Sequence, residues 1–375
     1  MMQTILKILC FILIVTFLTG LIARENDDAQ LLQLAEKWEK KSEEERKQAL
    51  EYAQKYDIPI VLGVENGYKM ELMRITETGL PEYNITHNLN SAKTINTQKL
   101  WPGGTTGLDL SGDGFLIGEW DAGLVRHTHQ EFDDGAGGSR VTVQDTGGTH
   151  WHSTHVGGTI IAEGQINAAH GMAFEADLDT YQWTNDVSEM ASAVASDDMI
   201  LSNHSYGKVT GWSWHDDITD PWGNPGVFVW WGDVSISPTE DFRFGFYNDE
   251  TARFDSLAYA APEYLIVKSD GNDRNDDWNG NHWVNDGGWV WSNDARDPDG
   301  GATGYDCLAP KATAKNVLTV GSCQEITAGY SAPGDVVISD FSSWGPTDDG
   351  RIKPYIVADG DDVFSTADDA DDDYT

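Results

Sequence analysis

The chain has 375 residues, enough for one large domain and a smaller N-terminal piece. Its 62 acidic and 24 basic residues leave a net charge of −38, which repels phosphate and excludes nucleic acid as a partner. That balance suits a soluble, secreted protein, one that works in salt or binds Ca²⁺.

Residues 1–23 open with Lys7 and continue as an apolar stretch from Ile8 to Ala23. This reads as a secretory signal peptide, cleaved after Ala23, which leaves no membrane segment and places the mature chain outside the cell. Cys10 goes with the leader, so Cys307 and Cys323 remain. In an oxidising compartment these two are expected to form a disulfide closing a small loop.

Residues 24–100 form a charged unit. Leu31, Leu32, Leu34, Ala35 and Trp38 recur at helical spacing up to about Tyr56. Ile58 to Gly63 and Met70 to Ile75 then alternate around Asn66-Gly67, a hairpin signal. Leu100 to Gly107 is rich in Gly and carries Pro102, which marks a boundary, so a domain of residues 101–375 is expected.

In that domain Phe115 to Trp120 reads as an apolar strand that delivers Asp121 at its C-terminal end, followed by Gly123. Next comes Trp151-His152-Ser153-Thr154-His155-Val156-Gly157-Gly158-Thr159, where a His opens a helix and Gly157 and Gly158 permit close backbone packing. Asp on a strand end and His at a helix start are the orienting and basic members of a Ser-His-Asp triad. Val187 to Ala195 reads as a helix and Met199 to Ser202 as a strand. Tyr264 to Lys268 and Asn316 to Gly321 are further strands. Alternating strands and helices imply an α/β fold, a doubly wound, mostly parallel sheet with flanking helices and the site at its carboxyl edge.

These motifs, in this order, resemble the subtilisin-like serine peptidases (subtilases) over about residues 101–375. The resemblance implies that Asp121 orients His152 and that His152 is the general base and acid. It implies that Ser205-Tyr206-Gly207 is the extended segment that pairs with a protein or peptide substrate. The Ser269-Asp270-Gly271-Asn272 turn matches the segment whose Asn helps form the oxyanion hole, so Asn272 takes that role. His155 is expected to be structural. Ser153 stands where the family has Gly, and Asp270 adds a negative charge beside Asn272. Tyr355 and Asp359 depart from the family's Asp and Pro. Residues 24–100 occupy the position of a prosegment. The family's nucleophile lies in a Gly-Thr-Ser-Met-Ala motif that residues 1–375 lack. The peptidase domain is therefore expected to be incomplete at its C-terminus, with the Ser shortly after Thr375 and the isolated fragment inactive.

The region from Trp212 to Trp291 holds nine tryptophans among many Asp, Asn and Gly residues. They read as loops pinned by aromatic clusters, or as a surface for glycans or peptides in a non-catalytic binding protein. Acidic clusters at Asp270–Asp277 and Asp294–Asp299 offer oxygen ligands for Ca²⁺ without an EF-hand spacing. No organic cofactor is implied.

Overall fold

The computed structural model describes residues 47–56, 61–62, 70–75, 81–85, 88–197 and 199–375. The expected signal peptide, the Leu31–Trp38 pattern and the Asn66-Gly67 turn lie outside them. Two compact units divide the chain, one within residues 1–85 and one centred on residues 86–375.

In the first unit residues 47–56 are helical (α1), with Ala49 and Ala53 buried one turn apart. Strands β1 (Val61–Leu62), β2 (Met70–Ile75) and β3 (Pro81–Ile85) form an antiparallel sheet in that order; β1 and β2 fall in the two segments that the alternating pattern predicts, and β3 adds a third.

The second unit is built on a seven-stranded sheet. Its strands are β4 (Leu116–Asp121), β5 (Val141–Val143), β6 (Asp177–Gln182), β7 (Leu201–His204), β10 (Leu265–Ser269), β13 (Leu318–Cys323) and β14 (Ile356–Asp359). The order is β14-β13-β10-β7-β4-β6-β5, and every pairing is parallel. This is the doubly wound α/β sheet that the alternation of elements implies. From β4 the chain moves to one side through β5 and β6, then crosses to the other side through β7. The order therefore reverses beside β4, where such sheets open a crevice.

Both faces of the sheet are covered. Helix α3 (Trp151–Ile161) packs through Ile160 and Ile161 onto Ile117, Phe132 and Leu178. On the opposite face, α4 (Asp186–Asp197) and α5 (Asp249–Ala260) pack Met190, Ala193, Phe254 and Leu257 around Trp120 and Ile266. Period-two alternation along β4 sends Ile117, Glu119 and Asp121 to the α3 side and Trp120 to the other. Asp121 thus faces the helix that carries His152. A short helix, α2 (Asn88–Thr94), lies at the β14 edge, where Ser91 Oγ donates to Asp359 Oδ2 at 2.6 Å. The compact unit therefore begins before the Gly/Pro-rich junction at Leu100–Gly107 and takes in residues from 86 onward. The same contact gives the departure at Asp359 a local role.

Six of the nine tryptophans of the Trp-rich region stand in strands rather than loops, with Trp222, Trp231 and Trp278 in the connections. Strands β8 (Trp212–Thr219), β9 (Pro225–Trp230), β11 (His282–Asn285) and β12 (Trp289–Ser292) form a second sheet in the order β12-β11-β9-β8. Aromatic and β-branched side chains suit the pleated surface, and this overrides the turn-rich composition around them. The expected disulfide is also corrected, because Cys307 and Cys323 are both free and buried. Cys307 Sγ accepts the Trp344 N–H at 3.1 Å, whereas Cys323 ends β13 and pairs there with Asp359. The two thiols sit in separate packing environments, and burial pushes each up to about 11.

Candidate active site

The site is built where β4, β7 and β10 end. Trp120, His204 and Lys268 lie in one row across these three strands, so Asp121, Ser205 and Ser269 leave the sheet side by side. Asp121 is fully buried at the last position of β4. Its Oδ1 lies 2.7 Å from His152 Nδ1 and accepts the Ala122 N–H at 2.6 Å. His152 is the second residue of α3. His150 caps the helix, its Nδ1 accepting the His152 N–H at 3.2 Å. The His152 ring is about one third exposed, and its Nε2 meets no hydrogen-bond partner among the described residues.

Ser153, which stands where a Gly is expected, is a further member of the site. Its Oγ donates to Asp121 Oδ1 at 3.3 Å and accepts the Gly123 N–H at 3.1 Å. A hydroxyl directly after the helix-opening His was the available signal. The remaining Asp121 oxygen, Oδ2, is buried without a partner among the described residues.

Close packing beneath the site accounts for the two glycines. A Cβ on Gly158 would stand 2.3 Å from Thr366 Oγ1 and 2.5 Å from Ser365 Oγ, so only Gly lets that segment reach the helix. A Cβ on Gly157 would stand 3.2 Å from Glu119 Oε2. Glu119 is fully buried, and neither carboxyl oxygen has a partner among the described residues. Burial, reinforced by the nearby Asp121 charge, holds its carboxyl well above the usual carboxylate range. His155 is half-buried one turn further along α3 with Nε2 2.9 Å from the Val363 carbonyl, and desolvation of its ring pushes it down to about 4. It is neutral at neutral pH and held by backbone.

Asn272 follows β10 in a turn that needs Gly271 at φ +117°. Its side chain is exposed and hydrogen-bonds nothing among the described residues. Asp270 is buried, and desolvation pushes it up to about 7, while Ser342 Oγ donates to it at 2.7 Å. Burial thus favours the neutral form of the carboxyl beside Asn272. Of the 205–207 segment, Ser205 Oγ accepts from Asn203 Nδ2 at 3.0 Å, and Gly207 is exposed. Tyr206 turns inward, its hydroxyl donating to Asp186 Oδ2 at 2.6 Å in a buried cluster with Lys311 and His204. Its side chain belongs to the core, which leaves the backbone of this segment to meet a ligand.

Asp273, Asp276 and Asp299 bring carboxylate oxygens within 4.8 Å of one another. Burial is the first cause in pushing Asp273 to about 7, Asp276 to about 6 and Asp299 to about 10. No Lys or Arg hydrogen-bonds any of the three among the described residues. Three crowded oxygen donors without a cation fit a hard divalent ion.

No curated protein matches the chain. Among solved structures it is similar to the CspB protease of Clostridium perfringens, at 14% identity and a TM-score of 0.49, covering 75% of this chain and 82% of that one. It is similar to the patellamide maturation protease PatA, at 18% identity and a TM-score of 0.39, covering 68% and 69%. It is also similar to MycP1 from Mycobacterium smegmatis, at 17% identity and a TM-score of 0.38, covering 75% and 64%. Residues 84–374 match the model of the subtilase family, Peptidase S8, and the chain belongs to that family of serine peptidases.

Proposed function

We propose that this protein is a secreted serine endopeptidase in which Asp121, His152 and Asn272 carry the chemistry. The observation behind this reading is the Asp121–His152 pair at the carboxyl edge of the sheet. A buried carboxylate on Nδ1 makes Nε2 the basic nitrogen and stabilises the imidazolium. His152 Nε2 takes the proton of an attacking serine hydroxyl as Oγ bonds to the scissile carbonyl carbon, and Asn272 donates to the oxyanion. Collapse breaks the C–N bond, and His152 returns the proton to the leaving amine. A water molecule then repeats the sequence on the acyl-enzyme. The 205–207 backbone pairs with the peptide on either side of the cut bond, which suits an endopeptidase.

On this reading the attacking hydroxyl belongs to a Gly-Thr-Ser-type segment, which residues 1–375 do not contain. Ser202, Ser342 and Ser343 are buried and bonded to His204, Asp270 and Asp273 respectively. Residues 1–23 are a cleaved leader, and the part of residues 24–100 that precedes residue 86, where the second compact unit begins, acts as a prosegment. Ca²⁺, where bound, is held by Asp273, Asp276 and Asp299 and neutralises their crowded charge.

The test is to label the full-length protein with a fluorophosphonate probe and to assay casein hydrolysis, beside its His152→Ala variant. The expected result is labelling and hydrolysis in the parent and loss of both in the variant. Labelling that survives His152→Ala overturns the reading. A parent that neither labels nor cleaves favours the second reading, a binding protein, which the exposed Trp222 and Trp289 support.

A further inference from the structure

The second sheet has two unlike faces. Register places Trp212, Trp230 and Val284 together on one, where they close into a buried cluster. On the other, Val229 pairs with Ser213 and Trp283, and Trp283 pairs with Trp291, with Trp289 two residues away. Trp222, from the β8–β9 turn, stands edge-on to Trp291 at 6.4 Å, and Trp231 stands edge-on to Trp289 at 5.4 Å. Val229 is only 1% exposed, so these indoles are the layer that covers it. The layer itself is open to solvent, with Trp222 73% and Trp289 52% exposed. An aromatic surface of this kind marks an interaction site.

The charge around it has one sign. Segments 211–235 and 276–295 contain four Asp residues each and no Lys or Arg. Asp217 and Asp294 extend into solvent, and side-chain and backbone N–H groups from Asn224 hold Asp220 below the usual carboxylate range. Arg296, the cation that approaches, is buried over the Trp230 ring on the other face and comes within 4.0 Å of Asp294, so the remaining carboxylates of the two segments, Asp217 and Asp220 among them, supply the uncompensated charge. The indole N–H groups of Trp222, Trp289 and Trp291 have no hydrogen-bond partner among the described residues, whereas Trp231 and Trp283 donate to Ser213 and Thr219.

We propose that this face docks a Lys- or Arg-rich stretch of polypeptide. Ammonium or guanidinium groups lie over the open indole faces, and the surrounding carboxylates complement their charge. Carbonyl oxygens of the bound backbone accept the indole N–H groups of Trp222 and Trp289, the two exposed rings, whereas the Trp291 N–H is buried. Acidic and phosphorylated ligands are repelled. A neutral glycan would use the rings and leave the carboxylates without a counter-charge.

The proposal does not depend on the peptidase reading, because it is tested by equilibrium binding. The full-length protein carrying His152→Ala, which spares the probe from cleavage, is titrated into a labelled short peptide of alternating Arg and Gly. A Glu/Gly peptide and a neutral oligosaccharide serve as comparisons. The Arg peptide should bind, and binding should weaken as salt rises from about 50 to about 500 mM, while the Glu peptide should not bind. Trp222→Ala with Trp289→Ala should weaken binding about tenfold, and the Phe pair should restore part of it. Near-UV circular dichroism checks the fold. If the double variant unfolds, the single variants give the same reading, since each ring is largely exposed. Binding that ignores the Trp substitutions would mean diffuse attraction to an acidic chain and would overturn the site. So would an oligosaccharide that quenches tryptophan fluorescence where the Arg peptide does not bind.

Discussion

Ser153 Oγ lies 3.3 Å from Asp121 Oδ1, the same oxygen that His152 Nδ1 approaches at 2.7 Å. The carboxylate is thus held from two positions on one helix turn. A hydrogen bond to a charged group contributes about 1.5–3 kcal/mol, though the bond here is long and belongs at the low end. On the proposed peptidase reading, Ser153→Ala should therefore lower kcat/KM by about tenfold. Steady-state kinetics decide it, and an unchanged kcat/KM would make Ser153 a packing residue only.

Asn272→Ala should lower kcat by about 10²–10³ while KM changes little, because an oxyanion donor acts mainly in the transition state. That magnitude is the one measured for the oxyanion-hole Asn of a subtilisin. A rise in KM with kcat intact would assign Asn272 to substrate binding instead.

Glu119 is a buried carboxyl with no partner among the described residues. Its folded-state pKa is raised above the ordinary 4.5, so the native protein keeps a proton that the unfolded chain has lost. Stability from this group is complete below about 4.5 and falls as pH rises through the folded value. Glu119→Met removes the burial cost at similar volume and should stabilise by about 1–3 kcal/mol. Urea unfolding at pH 5 and pH 8 should show the gap between variant and parent widening at the higher pH. A pH-independent gap would sink the account.

Cys307 and Cys323 should be free thiols. A thiol reagent should find neither in the native protein and both after denaturation, since both are buried and shifted upward. Non-reducing mass mapping that recovers a linked peptide pair would contradict the structure.

Ca²⁺ should stabilise the fold by RT ln(1 + [Ca²⁺]/Kd), about 2.7 kcal/mol at a hundredfold excess over Kd, and raise the melting temperature accordingly. Asp299→Asn should remove most of the shift. The effect should fade below about pH 6, where protons compete for Asp273 and Asp276 as well as for Asp299. Equal melting curves in Ca²⁺ and in chelator would eliminate the site.

Local pattern alone determined the parallel α/β architecture, the strand that ends in Asp121, the helix that carries His152 in its first turn and the strand before Asn272. Each is a short-range signal, since apolar periodicity and a turn residue lie within about ten positions of one another. The separation of residues 121 and 152 left their contact to be inferred from a resemblance. The contact itself depends on β4 sending its odd-numbered residues under α3. Tertiary structure alone decided the rest. It turned Tyr206 into the core, kept Cys307 and Cys323 apart and folded the tryptophans into a two-faced sheet. It also buried Glu119 beneath Gly157 and set Ser153 against Asp121. These outcomes depend on which side chains meet across elements distant in sequence, and burial and register, rather than composition, select those partners.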